Sequence, residues 1–291
     1  MLQGPVEIET AIVAIAGCRP ANIPGTVLQP VVTTPTNDTS VNPSGPWVLT
    51  PSPQPHTYHS TSRTTVHELS DPTIHQISME VTTAFTISLN QSQIPLIISG
   101  HIDTVTFSQQ NQLALDNNSL TLPLLFEGEL ALTGLTINVK NPQPTDQSCS
   151  PAVSSILSDV HAVVGVYPTH LTPDFTWQDS TLVTTCTTGG IPTTRKTIQS
   201  FRVVGERVFN TTTALLLQRL DSSHISGDGA EGNHQIHLEG IGTGTANIYI
   251  SPISAVTLGV ELSEKTEITI TNSGKARRFI QEITQRLNAT N

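Results

Sequence analysis

The clearest pattern along the chain is an alternation of apolar and polar side chains over residues 77–89. The apolar residues occupy odd positions: Ile77, Met79, Val81, Phe85, Ile87 and Leu89. Because the side chains of a β-strand point alternately to its two faces, this period of two predicts a long strand with one buried and one solvent-facing surface. We expect the odd-numbered side chains to face the interior.

Similar patterns follow this strand. Residues 96–107 predict a second strand, with a change of register near residues 101–103. Gly100 within it fits a β-bulge or the close approach of a neighbouring chain. Shorter apolar segments continue the pattern, so residues 56–140 are predicted to form an antiparallel meander.

A single helix is predicted after residue 149. Ser150 is a suitable N-cap and Pro151 a suitable first-turn residue. Five apolar residues then keep helical spacing: Val153, Ile156, Leu157, Val160 and Val164. Gly165 predicts the end of the helix.

Strand patterns resume near residue 181 and continue to residue 288. Strands are predicted at residues 193–205, 212–226, 234–250 and 260–271, with turns at residues 189–190, 227–232 and 272–274. Residues 275–287 fit a short helix or a last strand, and the hairpin-turn sequence before them favours the strand. The predicted fold is therefore mainly β: two antiparallel β-lobes, half-barrel or sandwich-like, with one short linking helix and an extended proline-rich N-terminal tail.

The proline-rich tail sets the predicted domain boundaries. Nine prolines lie within residues 19–56, and proline neither donates to a sheet ladder nor continues a helix. We expect residues 19–55 to form an extended tether, after a candidate signal segment at residues 1–18. Residues 56–148 would form the N-terminal β-lobe, and residues 149–291 the helix with the C-terminal β-lobe.

Composition and charge narrow the range of partners. Thirteen Lys and Arg residues stand against 23 Asp and Glu residues, giving a net charge of −10. Nucleic-acid binding depends on clustered cations, so this balance argues against DNA or RNA as a partner. Threonine, which favours strands, makes up about one residue in seven. No apolar run reaches the ~18 residues that a membrane-spanning helix needs.

Cys18 is a candidate lipid anchor. It ends the sequence Ile15-Ala16-Gly17-Cys18, which follows an apolar run and resembles the lipobox of bacterial lipoproteins, whose cysteine is lipidated. Signal peptides begin with basic residues, whereas no Lys or Arg precedes Cys18, so a misassigned start and a chance match remain alternatives. A lipid at Cys18, followed by the tether, would hold the protein at a membrane surface. Trp47 in the tether either docks on the protein's own domain, the interpretation we favour, or contacts a partner.

Cys149 and Cys186 are candidate partners in a disulfide. They lie at the start of the predicted helix and on the strand that follows it, and an oxidising compartment would allow them to join. Two unrelated thiols are the alternative. The sequence has no CxxC motif and no Cys/His spacing typical of zinc sites.

The C-terminal half resembles bacterial extracytoplasmic lipoproteins of uncharacterised function. The resemblance rests on Pro168 with Asp174-Phe175-Thr176-Trp177-Gln178-Asp179-Ser180, on Phe201-Arg202-Val203-Val204-Gly205, and on Gly240-Ile241-Gly242-Thr243-Gly244-Thr245. Asp174 stands where those proteins have glycine. Over residues 149–288 the resemblance implies a secreted or periplasmic β-rich fold, with no known catalytic residues to carry over.

Few residues are spaced for metal or cofactor chemistry. The closest histidine pairs are His56/His59 and His234/His237. On a strand, residues three apart point to opposite faces, so neither pair is expected to chelate a metal. An acidic loop with Asp221, Asp228 and Glu231 could hold calcium, but it lacks the EF-hand spacing and fits an ordinary acidic turn. The glycines at 240, 242 and 244 precede a strand rather than a helix, so close packing explains them better than phosphate binding.

The expected function is a non-catalytic, extracytoplasmic interaction protein, tethered to a membrane as an accessory or scaffold subunit of a membrane-protein complex. The first alternative is a periplasmic carrier or binder of a lipid or other apolar ligand, because long amphipathic strands can curl into a half-barrel with an apolar interior. The second is a hydrolase built on His101 and Asp103, which share a strand face. No Gly-x-Ser-x-Gly motif supports it, and we expect neither an enzyme nor a cofactor.

Overall fold

The computed structural model describes residues 45–50, 52–70, 77–90, 96–110, 122–131, 134–139, 158–165, 167–186, 191–231 and 234–290. Within these ranges the chain forms thirteen strands. They are β1 (Trp47–Val48), β2 (His56–Glu68), β3 (Ile77–Asn90), β4 (Leu96–Gln110), β5 (Leu124–Ala131), β6 (Gly134–Val139), β7 (His170–Leu171), β8 (Thr176–Cys186), β9 (Pro192–Phe209), β10 (Thr212–Glu231), β11 (His234–Ile250), β12 (Thr257–Asn272) and β13 (Lys275–Thr290). The mainly β fold is confirmed.

Eleven strands form one antiparallel sheet, in the order β6-β5-β4-β3-β2-β13-β12-β11-β10-β9-β8. Both halves of this order are meanders in which consecutive strands are neighbours. The two meanders meet where β2 pairs with β13, from Thr57 opposite Thr290 to Glu68 opposite Phe279. The strands of the two predicted β-lobes therefore share a single continuous sheet.

Residues 77–90 form strand β3, and its odd side chains from Met79 to Ile87 are buried as predicted. The opposite face is not uniformly exposed, because Ser78 and Ala84 are buried there as well. The predicted change of register is also confirmed. Ala84 pairs with Thr104 and Phe85 with Ile102, which leaves Asp103 as the extra residue of a β-bulge in β4. Gly100 lies on β4 opposite Ile87.

The last hairpin, β12–β13, confirms a final strand in place of a helix at residues 275–287. Its turn residues Ser273 and Gly274 both have positive φ angles, of 49° and 83°. This backbone matches the right-handed twist of a two-residue hairpin and favours glycine. The turn predicted at residues 227–232 begins too early, because β10 continues to Glu231. The backbone of β10 continues to pair with β11 in this segment, with Gly227 opposite Leu238.

A helix over residues 158–163 and the small β1–β7 sheet supply side chains to the inner face of the large sheet. Trp47, Leu49, Val160, Val163 and Leu171 join side chains of the large sheet in one buried cluster, which we call the covered core. The helix stops at Val163, as the glycine at position 165 predicted.

Residues 45–50, which the sequence assigned to the tether, are part of the described fold. The indole of Trp47 is only 6% exposed, and its Nε1 donates to Glu206 at 2.8 Å. Val48 pairs with His170, and Leu49 N donates to the carbonyl of Thr169 at 2.8 Å. Trp47 therefore packs on its own domain, the interpretation we favoured, and contact of Trp47 with a partner stays a prediction. The remaining tether, residues 19–44, lies outside the described residues.

A second buried cluster, which we call the strand core, lies on the same sheet face at the opposite end of the strands. Its members are Val66, Ile191, Ile225, Ile236, Leu238, Ile268, Ile270 and Phe279. All come from large-sheet strands except Ile191, which directly precedes β9. Among the described residues, neither the helix nor the β1–β7 sheet contributes to it.

A belt of polar side chains separates the two cores. Arg195 on β9 pairs with Glu264 on β12 and donates to Ser223 Oγ on β10 at 3.2 Å. Strand β11 lies between β10 and β12, and it carries glycine here. A Cβ atom on Gly242 would lie 2.5 Å from Ser223 Oγ and 2.6 Å from Thr266 Oγ1. Gly242 thus gives these polar side chains room over β11, which confirms close packing as the role of this glycine.

Candidate functional site

The candidate site is a cavity of about 90 Å³ between the large sheet and the elements that cover it. We call it the helix-end pocket. It lies where the helix ends and where β2 and β12 begin. The sheet contributes Ile87 and Leu89 from β3, while Val163 and Val164 close the opposite side. The wall is thus mostly aliphatic.

Each wall is held by backbone or ring packing. Tyr58 on β2 stacks on Phe85 of β3 with ring centroids 5.5 Å apart, which fixes the floor. The helix end is held by Thr257, whose Oγ1 donates to the Val163 carbonyl at 2.8 Å. At Gly165 a Cβ atom would lie 2.5 Å from the Tyr167 ring, so glycine lets that ring pack against the backbone.

The two tyrosines of the pocket are neutral at physiological pH. Burial raises the pKa of Tyr167 and of Tyr58 above the usual value for a phenol. Tyr167 also shares a hydrogen bond with Thr257. These rings therefore add apolar area and a small number of fixed hydroxyl groups, without charge.

One buried polar atom of a pocket residue has no hydrogen-bond partner among the described residues. His56 lines the pocket, and this atom is its Nε2. Burial lowers the pKa of His56 below the usual value, so its imidazole is neutral at neutral pH. A buried polar atom without a partner is uncommon, and because Nε2 has almost no accessible surface, it is not open to the cavity.

The helix that covers the pocket is fixed to the sheet by a buried carboxyl group, Asp159. Thr83 Oγ1 donates to Asp159 Oδ2 at 2.5 Å, and Gln285 Nε2 donates to Oδ1 at 2.5 Å. Ser60 provides a third hydrogen bond. Burial raises the pKa of Asp159 to about 6 despite these bonds. The arrangement connects the helix to β2, β3 and β13 just behind the pocket.

The cysteine predictions fall largely outside the described residues. Cys18 and Cys149 both lie outside the described residues, so the lipid anchor and the disulfide stay predictions. Cys186 ends β8 opposite Pro192, and only its backbone is described.

The candidate hydrolase pair lies on the surface. His101 Nε2 and Asp103 Oδ1 are 3.3 Å apart across the bulge of β4, with side chains 42% and 45% exposed. Within the described ranges, no serine hydroxyl hydrogen-bonds to His101, and neither residue lines the helix-end pocket. The hydrolase alternative stays a prediction.

The other candidate ligands are separated in space or already engaged. Asp221 is buried in the polar belt beside Arg219, whose Nη2 donates to it at 2.8 Å. Asp228 instead bonds to His237 at 2.7 Å, and His237 also bonds to Glu239 at 2.9 Å. These acidic neighbours raise the pKa of the exposed His237. His234 bonds to Ser273 Oγ at 2.7 Å. In the part of the chain that the structure describes, no group of three or more His, Cys, Asp or Glu is arranged to hold a metal ion.

Sequence reasoning missed His56 as a pocket residue. The signal that could have found it is its place on β2, where the even-numbered Tyr58 and Ser60 face the interior while His59 is exposed. His56 continues the inner series, which also confirms that His56 and His59 point to opposite faces.

Comparison of the chain with protein-family models and with curated protein sequences finds no match. None of the helices in the described ranges is long and apolar enough to cross a membrane.

Proposed function

We propose that the protein is a non-catalytic binding protein that holds the apolar part of a small ligand in the helix-end pocket. The observation that carries the proposal is the aliphatic cavity itself, placed between Ile87 and Leu89 of the sheet and Val163 of the helix. Apolar cavities with few polar groups are the usual form of small-molecule sites. A ligand there would gain the burial of its own apolar surface.

The size of the pocket limits what enters it. A cavity of about 150 Å³ holds a benzene ring, and the helix-end pocket has a volume of about 90 Å³. The pocket therefore suits a short chain or the end of a longer molecule.

An extracytoplasmic position at a membrane surface belongs to the proposal and rests on the sequence around Cys18. A protein attached there would have membrane-derived apolar molecules within reach. The rival role, a tethered accessory subunit, differs in that a protein partner rather than a small molecule would accompany the purified chain.

Xenon is a suitable probe, because it binds apolar cavities and needs no polar contact. In crystals of the protein under xenon pressure, we expect a xenon atom in the helix-end pocket. Thr169 lines the pocket and is exposed, so Thr169→Trp should block the cavity without removing core side chains. The matched control is Thr243→Trp, at an exposed position of β11 outside the pocket.

The proposal predicts xenon in the wild-type protein and in Thr243→Trp, and its loss from Thr169→Trp. An empty pocket in the wild-type protein would contradict it. So would equal xenon occupancy in both tryptophan variants.

A further inference from the structure

One end of the molecule carries most of its strongly exposed apolar side chains. Four large apolar side chains of the described residues are more than half exposed, and they belong to Val48, Val208, Ile241 and Ile253. Ile241 lies in the middle of β11, whereas the other three lie in β1, at the end of β9 and in the loop after β11. Single exposed apolar side chains are ordinary on a protein surface, but a group of them marks an interaction site.

Strand pairing places Val208 and Ile253 at the same end of the large sheet. Leu215 of β10 pairs with Glu206 of β9 on one side and with Ile250 of β11 on the other. Val208 is two residues beyond Glu206, and Ile253 is three residues beyond Ile250. Both therefore lie just past the same row of paired residues.

Strand β1 is attached to both of these segments, so Val48 lies at the same end. The Nε1 atom of Trp47 donates to Glu206 at 2.8 Å, and Thr50 N donates to the Ile253 carbonyl at 3.2 Å. Val48 lies between these two attached residues. We define the apolar tip as Val48, Val208 and Ile253.

The segments of the apolar tip also form part of the wall of the helix-end pocket. Leu49, which follows Val48, lines the pocket, and so do Ala255 and Val256 in the loop that carries Ile253. The pocket and the apolar tip therefore lie at the same end of the molecule.

The segments that carry the apolar tip contain no Asp, Glu, Lys or Arg. This holds for residues 45–50, 208–213 and 251–257, in a chain with 23 acidic and 13 basic residues. On β9 the charged residues nearest to the tip are Arg207 and Glu206, and Glu206 accepts the Trp47 hydrogen bond. A surface that enters a lipid bilayer gives up water, which costs least for apolar groups and most for charges.

The chemistry of the tip favours lipid over a protein partner. Protein interfaces are enriched in aromatic residues and Arg, and their cores need a surface of matching shape. The tip instead offers aliphatic side chains on three separate segments. Lipid chains adapt to such side chains without a matching shape.

We propose that the apolar tip is a membrane-contact surface, with Val48, Val208 and Ile253 inserted at the boundary between the headgroups and the acyl chains of a lipid bilayer. The inference rests on the membrane position in the proposed function and deepens it. In this orientation the end of the molecule that holds the helix-end pocket lies against the membrane, where apolar ligands are found.

The predicted lipid anchor and the apolar tip are compatible. One lipid chain gives only marginal attachment, and stable attachment needs a second contact. Residues 19–44 separate Cys18 from the described fold, a total of 26 residues. A chain of this length spans at most roughly 90 Å, so a lipid at Cys18 leaves the tip free to reach the same bilayer.

The test measures co-sedimentation of the full chain with phosphatidylcholine vesicles. Every protein carries Cys18→Ser, so that no lipid at position 18 contributes. We expect Val208→Ser and Ile253→Ser each to weaken binding roughly five- to twentyfold, because each withdraws one aliphatic side chain from the bilayer. The matched control is Ile241→Ser, which changes an exposed isoleucine outside the tip and should leave binding unchanged.

A second pair of variants tests the lack of charge. Thr212→Glu places a carboxylate in an exposed position beside the tip and should also weaken binding to these uncharged vesicles. Thr243→Glu makes the same change at an exposed position in the middle of β11 and should bind as the parent protein does.

The outcomes separate this inference from the proposed function. Absence of vesicle binding, or equal binding by Ile253→Ser and Ile241→Ser, would overturn the membrane contact. A dimer in analytical ultracentrifugation that Ile253→Ser dissociates would assign the tip to a second copy of the chain and overturn it as well. Xenon in the helix-end pocket of a protein that ignores vesicles would overturn this inference alone. Tip-dependent vesicle binding with an empty pocket would support the membrane contact and overturn the binding function.

Discussion

The covered core and the strand core lie on the same face of one sheet, yet they are built differently. The strand core takes its side chains from neighbouring strands, in regular alternation, and Ile225 and Leu238 are almost fully buried there. The covered core must also fit a helix and a two-stranded sheet against the strands. The helix-end pocket is at the junction of these elements.

The two cores show where a sheet protein of this kind leaves space for a ligand. Strands in register bring side chains together at fixed spacings, and alternate residues fill the face. A helix end does not follow this spacing, so its side chains meet the sheet with gaps. In this protein the gap is lined by Val163 and Val164, the last residues around the helix end.

The polar belt keeps the two cores apart. Arg195 and Glu264 form an ion pair with side chains only 12% and 10% exposed. Arg219 and Asp221 form a second pair in the same layer. Removing one member of such a pair leaves a buried charge without a partner, which is costly. Because these buried ion pairs lie between the two cores, we expect a substitution in one core to have a limited effect on the packing of the other.

The largest expected effect comes from breaking the floor of the covered core. Phe85 is fully buried and stacks on Tyr58. We expect Phe85→Ala to lower the free energy of unfolding by about 3–5 kcal/mol, because it removes buried apolar area and leaves a cavity. Urea unfolding measures this loss. The control Val208→Ala, at a side chain 76% exposed, should change stability by less than about 0.5 kcal/mol; a similar loss in both variants would contradict the assignment of Phe85 to the core.

A pH dependence that is specific to the covered core is expected from Asp159. Burial raises its pKa to about 6 from 3.8, so the folded protein holds this proton more tightly than the unfolded chain does. Its contribution to stability is therefore lost as the pH rises from about 4 through about 6, by roughly 3 kcal/mol. Asp159→Asn cannot ionise, and its stability relative to the wild-type protein should increase by about this amount between these conditions. Unfolding free energies at about pH 4 and pH 8 measure the change.

The control for this experiment is Asp103→Asn, which alters an exposed carboxylate on β4. Its stability should follow the wild-type curve closely. Parallel pH curves for Asp159→Asn and the wild-type protein would show that Asp159 is not held in its protonated form by the fold.

The smallest of the three effects is expected at the belt, where Gly242→Ala places a Cβ atom among side chains of both neighbouring strands. Ser223 and Thr266 must move away, and such overpacking costs about 1–3 kcal/mol. The loss should appear in urea unfolding without a change in xenon binding, since the helix-end pocket lies beyond the belt. Gly274→Ala is a useful contrast, because a Cβ there meets no atom within 4 Å and is opposed only by the positive φ of 83°. Loss of xenon binding in Gly242→Ala would show that the belt does not isolate the two cores.

Local features of the fold were predictable from the sequence. The alternation in β3, the bulge near Asp103, the turn before Lys275 and the helix end at Gly165 each depend on a few consecutive residues. The union of the two meanders was not predictable in this way, since alternation shows which face of β2 is buried but not which strand pairs with its edge. The proline count also gave no sign of the short strand at Trp47, because a strand between prolines needs only a few free backbone groups.

The candidate site was less predictable than the fold. Its lining residues come from several segments of the chain, among them those that hold His56, Leu89, Val163 and Val256. No local motif marks such a set. His56 differs from the other nine histidines only by its surroundings, which the strand pairing and the helix create together.

The pairing of β2 with β13 has a consequence for the synthesis of the protein. Thr290 Oγ1 donates to the carbonyl of Thr57 across 233 residues. At translation rates of about 5–20 residues per second, β2 leaves the ribosome roughly 10–50 s before its neighbour β13. During that interval its edge carries unpaired N–H and C=O groups, a template on which another nascent chain can add a strand. The yield of folded protein should therefore depend on how well a chaperone shields β2 while the rest of the chain is made.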